Sequence, residues 1–157
     1  MNFNYARSDI VFQEVPDHIS LAFTITGCQL RCKGCHSAET WNANIGRPLT
    51  RDRLLEYLNR YQGFISCVLF FGGEWQPQIL KEHLQLIRER GLKTCLYTGQ
   101  PKVAEDLIEH LDFVKTGSWD ARLGGLSSPT TNQLFIDVKS GQSLNHKFQE
   151  RNHVSAQ

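Results

Sequence analysis

Cys28, Cys32 and Cys35 fall within eight positions as C-x3-C-x2-C, in the stretch TGCQLRCKGCH. Thiolates so spaced can converge on one soft metal centre, and cysteine suits zinc and iron–sulfur clusters alike. A structural zinc takes four protein ligands in a closed tetrahedron. Three cysteines fall short of that, and His36 adjoins Cys35, so both side chains would have to crowd one small ion. Cys67 and Cys95 each sit in an apolar run and read as small buried hydrophobes. Three thiolates on a cluster of four irons leave one iron open to a substrate. The spacing favours the cluster, and a zinc site stays as the alternative.

A second group follows the apolar run SCVLFF at residues 66–71: Gly72, Gly73 and Glu74. Absent side chains let a ligand approach the backbone, and exposed carbonyls with a carboxylate suit an ammonium group. The plainer reading is a strand-to-helix turn in which Glu74 complements the dipole of the next helix. Gly27 and Gly34 flank the cysteines where the backbone must turn tightly, which glycine allows. Arg31 and Lys33 lie between the ligands, where they could offset cluster charge, face an acidic partner, or simply be solvated.

The elements that position these groups follow from periodicity. Asp9–Val15 and Ile19–Thr26 are strand-like, the second running straight into Gly27. Thr50 can cap a helix through RDRLLEYLNRY, with Leu54, Leu55 and Leu58 on one face. Ser66–Phe71 reads as a strand covered on both sides. Pro77 opens a helix carrying Ile79, Leu80, Leu84 and Ile87 at helical spacing, ended by Gly91. A strand over Leu92–Thr98, a helix over Lys102–Leu111 and short strands at Phe113–Lys115 and Gln133–Val138 continue the rhythm. Ser127–Asn132 and Trp119 belong to a polar loop at a strand end, more simply a surface loop than a lid on the site.

Strands alternating with helices predict βαβ units. The fold class is therefore α/β, a partial (βα) barrel with a mostly parallel, open sheet. A closed eight-fold barrel needs roughly 250 residues, and the chain has 157. Residues 1–138 form the expected single domain, and the polar stretch 139–157 is expected to be a partly disordered tail. Both glycine motifs follow strands, where open parallel sheets and barrels place their ligands.

A net charge of +1 gives no electrostatic reason to expect nucleic acid or a membrane surface as partner. No apolar run approaches the roughly 20 residues of a bilayer span, and the first residues lack a signal-peptide pattern. The expected location is the cytoplasm, where cysteines serve as ligands or buried thiols rather than disulfides.

C-x3-C-x2-C at the end of a first strand is similar to the signature of radical S-adenosylmethionine enzymes. The segment GCQLRCKGCHSAETWNANIGRPLT resembles the activating protein of anaerobic ribonucleoside-triphosphate reductase, with Gly34 before the third cysteine, then Thr40, Trp41 and Asn42, then Gly46, Pro48 and Thr50. FFGGE, LYTG at 96–99 and TTNQLFIDV match further elements of that family. Trp41 and Asn42 are expected to fasten the loop after the cysteines. Two departures stand out: Glu74-Trp75 where the family usually has Asp-Pro, and His36 where an aromatic residue, often Tyr, is common.

The resemblance implies a [4Fe–4S] cluster on Cys28, Cys32 and Cys35 with one open iron. It implies S-adenosylmethionine held by Gly72, Gly73 and Glu74, with Gly34 and His36 beside the cluster. The implied activity is reductive cleavage to a 5′-deoxyadenosyl radical, which takes hydrogen from a glycine Cα of the reductase. The cofactor carries that chemistry, so no side chain is assigned as a catalytic acid or base. The implied partners are the reductase and a one-electron donor such as reduced flavodoxin. Two alternatives remain: a small-molecule enzyme similar to carboxydeazaguanine synthase, and a non-catalytic zinc-stabilised binding module.

Overall fold

The structure, a computed structural model, describes residues 3–27, 42 and 44–149. In chain order the elements are β1 (Asn4–Val11), β2 (Ser20–Ile25), β3 (Arg47–Pro48), α1 (Arg51–Arg60), β4 (Cys67–Phe71), α2 (Pro77–Glu89), β5 (Lys93–Tyr97), α3 (Glu105–Ile108), β6 (Phe113–Thr116), β7 (Leu134–Asp137) and β8 (Gln142–Ser143). One open sheet holds all the strands, in the order β3-β1-β2-β4-β5-β6-β7-β8. Its centre, β2-β4-β5-β6, is parallel throughout. Antiparallel strands extend it on both sides. This is the α/β sheet that the alternating pattern predicts, and it is compatible with a partial barrel.

The parallel strands are apolar because both of their faces are covered. Side chains alternate across the sheet. On one face Phe23, Phe70 and Leu96 pack against Leu54 and Leu58 of α1 and Leu80, Leu84 and Ile87 of α2. On the other, Ala22, Cys67, Leu69 and Cys95 gather with Val15 and Phe135. Thr50 caps α1, its hydroxyl accepting from the Arg53 N–H at 3.1 Å. Pro77 starts α2, where its missing N–H costs nothing.

Three expectations change in detail. The first strand begins earlier than Asp9, because Asn4 and Tyr5 pair with Pro48 and Arg47 while Phe12–Asp17 forms turns. The helix expected over Lys102–Leu111 shrinks to Glu105–Ile108. The strand at Leu134–Asp137 runs antiparallel to β6, since the connection over 117–133 contains no helix to carry a crossover. Part of the polar C-terminal stretch is ordered on the sheet as well. β8 pairs with β7, residues 145–149 are helical, and Phe148 lies 5.2 Å from the Phe135 ring.

Candidate functional site

The four parallel strands end together. Thr24 lies level with Phe71, Phe71 with Tyr97, and Tyr97 with Lys115. The turns that follow therefore share one edge: Thr26-Gly27 after β2, Gly72-Gly73-Glu74 after β4, Thr98 after β5 and Gly117 after β6. Cross-links hold them, from the Gly72 N–H to Tyr97 O at 3.0 Å and from the Thr98 N–H to Lys115 O at 2.9 Å. Thr26 is tied to β1 by its N–H, 2.9 Å from Asn4 O.

Gly72 and Gly73 have φ of 88° and 107°, a conformation that side chains resist. A Cβ on Gly72 would stand 2.5 Å from the Trp75 ring, and one on Gly73 would stand 3.0 Å from the Phe3 ring. The Gly-Gly-Glu-Trp departure thus has a local consequence: the indole folds back over Gly72, and Pro77 opens the next helix two residues later.

That turn aims Glu74 at β5. Thr98 Oγ1 donates to Glu74 Oε1 at 2.7 Å. Glu74 Oε2 is buried without a hydrogen-bond partner among the described residues, and so is the Trp75 indole N–H. Burial pushes the Glu74 carboxyl above its ordinary range; the Thr98 hydroxyl, its own backbone N–H and Lys115 partly offset this. Lys115 is itself buried, with Nζ donating to Gly117 O at 3.1 Å and lying 5.4 Å from the centre of the Tyr97 ring.

Cys28, Cys32, Gly34, Cys35 and His36 lie outside the described residues, as do Arg31, Lys33 and Trp41. Gly27, directly before Cys28, follows β2 at the shared edge with φ of 99°. Asn42 does fasten its loop: its Oδ1 accepts from the Asn44 N–H at 2.9 Å and its carbonyl from the Ile45 N–H at 3.1 Å. The 118–132 loop is bound mostly to itself, with Ser128 Oγ and Thr130 Oγ1 both donating to Leu123 O at 2.8 Å.

The donor set can be counted from the register. Cys67 lies level with Ser20 and Cys95 with Leu69, hence with Ala22. At about 3.3 Å per residue, Cys67 is roughly 20 Å from Gly27 along the strand direction. Both thiols are fully buried, and burial pushes Cys67 up to about 12 and Cys95 well above its ordinary value. Buried inside the sheet and held protonated, both are poorly suited to serve as thiolate ligands. Among the described residues no three His, Cys, Asp or Glu side chains gather to hold a metal ion.

Sequence reasoning singled out Gly72, Gly73 and Glu74, and the fold brings them to one place. It passed over Lys115, whose signal was a lysine inside an apolar strand. Thr98 was visible only as part of LYTG.

An open α/β sheet whose first parallel strand runs into the sequence C-x3-C-x2-C fits an iron–sulfur protein. The chain belongs to the family described as 4Fe-4S single cluster domain, which matches residues 19–130. It is 36% identical over 96 residues to the pyruvate formate-lyase-activating enzyme of Clostridium pasteurianum, and 28% identical over 99 residues to the pyruvate formate-lyase 1-activating enzyme of Escherichia coli K12. Each match covers 56% of this chain and 40% of the relative. It is also 32% identical over 82 residues to the 7-carboxy-7-deazaguanine synthase of Hyperthermus butylicus, covering 51% of this chain and 34% of that protein. The chain thus matches well under half the length of these relatives. Together the family and the relatives imply an iron–sulfur cluster and S-adenosylmethionine as cofactors. No helix among the described residues is long and apolar enough to cross a membrane.

Proposed function

We propose that this chain is a radical S-adenosylmethionine activase that installs a glycyl radical on anaerobic ribonucleoside-triphosphate reductase. The observation that carries the reading is Glu74, with one oxygen held by Thr98 and the other buried and without a partner among the described residues, on the edge to which β2 delivers Gly27. A buried acceptor without a partner costs free energy until something satisfies it. A ligand ammonium does so, and the partnerless indole N–H of Trp75 in the same turn can serve an acceptor on the same ligand. The methionyl end of S-adenosylmethionine is such a zwitterion.

The chain's own residues bind, orient and exclude water. Cys28, Cys32 and Cys35 hold the cluster, and Gly34 and His36 stand beside it. Gly72 and Gly73 give the turn its positive φ, with Trp75 and Phe3 packed where side chains would stand, and Glu74 takes the ligand's ammonium. Thr98 fixes the Glu74 carboxylate, while Phe3 and Ile25 back Gly73 with apolar surface. When bound, the cluster supplies the electron for reductive cleavage of S-adenosylmethionine, and the hydrogen abstraction that follows leaves the radical on the partner.

The activating-enzyme relatives support a protein glycine as substrate. The Thr40-Trp41-Asn42 segment and TTNQLFIDV support the reductase as the protein concerned. Reduced flavodoxin is the proposed donor, and the cytoplasm the proposed location. The test mixes anaerobically reconstituted chain, reductant and S-adenosylmethionine with the reductase or with pyruvate formate-lyase, and reads the glycyl radical by paramagnetic resonance. A radical on the reductase supports the proposal. Radical on pyruvate formate-lyase alone overturns the choice of partner.

A second reading rests on Gly-Gly-Glu and on the likeness to a 7-carboxy-7-deazaguanine synthase. It predicts S-adenosylmethionine cleavage stimulated by a small pterin-like substrate and indifferent to the reductase.

A further inference from the structure

We propose that a cavity on the flank of β1 and β3, level with the last residues of β2 and separated by that strand from the turn that carries Glu74, binds a phosphate-bearing small molecule. Its volume is about 380 Å³, and Tyr5, Arg7, Ser8, Gly46, Arg47 and Tyr57 line it. That volume lies within the range of small-molecule sites.

The wall depends on a glycine. Arg47 pairs with Tyr5 across β3 and β1, and the turn before it passes so close that a Cβ on Gly46 would stand 2.3 Å from Tyr5 O. Gly46 also has φ of 96°. Only glycine brings Arg47 to this position without strain.

Hydroxyl groups line the cavity in a chain. Ser8 Oγ donates to the Tyr57 hydroxyl at 3.2 Å, and the Tyr5 and Tyr57 hydroxyls are 2.9 Å apart. With Tyr5 as donor, Tyr57 accepts twice and keeps its own proton for an acceptor outside the chain. Burial acts to raise the Tyr57 phenol. The bonds from Ser8 and Tyr5, with the Arg53 and Arg60 charges, outweigh it and hold the phenol below its ordinary value. A phenol so placed is a strong donor to an anion.

The surrounding charge is one-sided. Arg7 pairs with Asp9 at 3.7 Å, and Arg60 lies 5.6 Å from the centre of the Tyr57 ring. Arg47 and Arg53 both act on the Tyr5 hydroxyl and form no ion pair among the described residues. Asp52 and Glu56, on the same helix as Arg53, do not pair with them either. Guanidinium groups match phosphate oxygens two bonds at a time. A concave site with one free phenol donor and arginines outside any ion pair beside it favours a compact phosphate over an acidic protein surface.

The test is calorimetry on the reconstituted full chain, with inorganic phosphate and adenosine diphosphate as separate probes and hexaglutamate as the competing class. Saturable one-to-one binding is expected. Arg47→Ala or Arg53→Ala should weaken it about tenfold or more, the scale of a lost charge-assisted hydrogen bond, and Tyr57→Phe should weaken it less. Both arginines are exposed, so melting curves of the alanine variants should match the parent. Tighter binding of the diphosphate would identify a nucleotide, and equal binding a simple phosphate. Four results overturn the proposal: no saturable binding, affinity indifferent to all three substitutions, preference for hexaglutamate, or loss of binding only on Glu74→Gln.

Discussion

Thr98 Oγ1 stands 2.7 Å from Glu74 Oε1, joining the turn after β4 to the end of β5. The bond fixes one carboxylate oxygen, and Oε2 is buried without a partner among the described residues. Thr98 thus fixes the direction in which the Glu74 carboxylate points. Replacing Thr98 with Val keeps the shape and removes the donor. The expected result is S-adenosylmethionine binding weakened about fivefold, the worth of roughly 1 kcal/mol, with the cluster intact by absorbance. Unchanged affinity would separate Glu74 from the ligand.

The raised Glu74 carboxyl has a consequence for stability. A carboxyl whose folded value exceeds its unfolded one makes the native state hold more protons across the interval between them. Stability is then fullest below the ordinary glutamate value and falls as pH rises through the folded one. Melting of the ligand-free protein should show this fall above about pH 4.5, and Glu74→Gln should flatten it. S-adenosylmethionine should also flatten it, because its ammonium favours the ionised carboxylate. A parent and variant with parallel pH profiles would contradict the assignment.

Gly73→Ala places a Cβ 3.0 Å from the Phe3 ring at φ of 107°. The strain should cost about 1–3 kcal/mol, seen as a lower denaturation midpoint. The site should loosen with it, since Phe3 cannot retreat without disturbing its edge contact with Phe70, at 6.4 Å between ring centres.

The cysteines should divide three against two. Thiolate is the reactive form, and burial pushes Cys67 up to about 12 and Cys95 well above its ordinary value. Iodoacetamide at pH 8 should therefore label the folded, cluster-free chain at Cys28, Cys32 and Cys35 only. Ala at any of those three should abolish the cluster. Cys67→Ala and Cys95→Ala should keep it, at roughly 1–2 kcal/mol of stability each for the lost packing.

Patterns that sequence carries well are those with a strong local cause. The Thr50 cap, Pro77 at a helix start and the apolar run before Gly72 are of this kind, and all three stand as read. The edges of the sheet were harder. β3 and β8 are only two residues long, and their pairing depends on distant partners, Tyr5 and Ile136 among them. The polar stretch beyond Lys139 concealed Phe148, one aromatic ring that docks on Phe135. At the site, glycines and a carboxylate after a strand announce themselves. The hydroxyl that orients the carboxylate becomes visible only when parallel register sets β5 beside β4.

In the proposed site three thiolates hold a cluster whose remaining iron meets S-adenosylmethionine. Paramagnetic resonance of the anaerobically reconstituted, reduced protein, with and without S-adenosylmethionine, tests it most directly. The expected result is a [4Fe–4S]⁺ signal that changes shape when S-adenosylmethionine is added. A signal indifferent to that addition, or a colourless protein holding zinc, would contradict it.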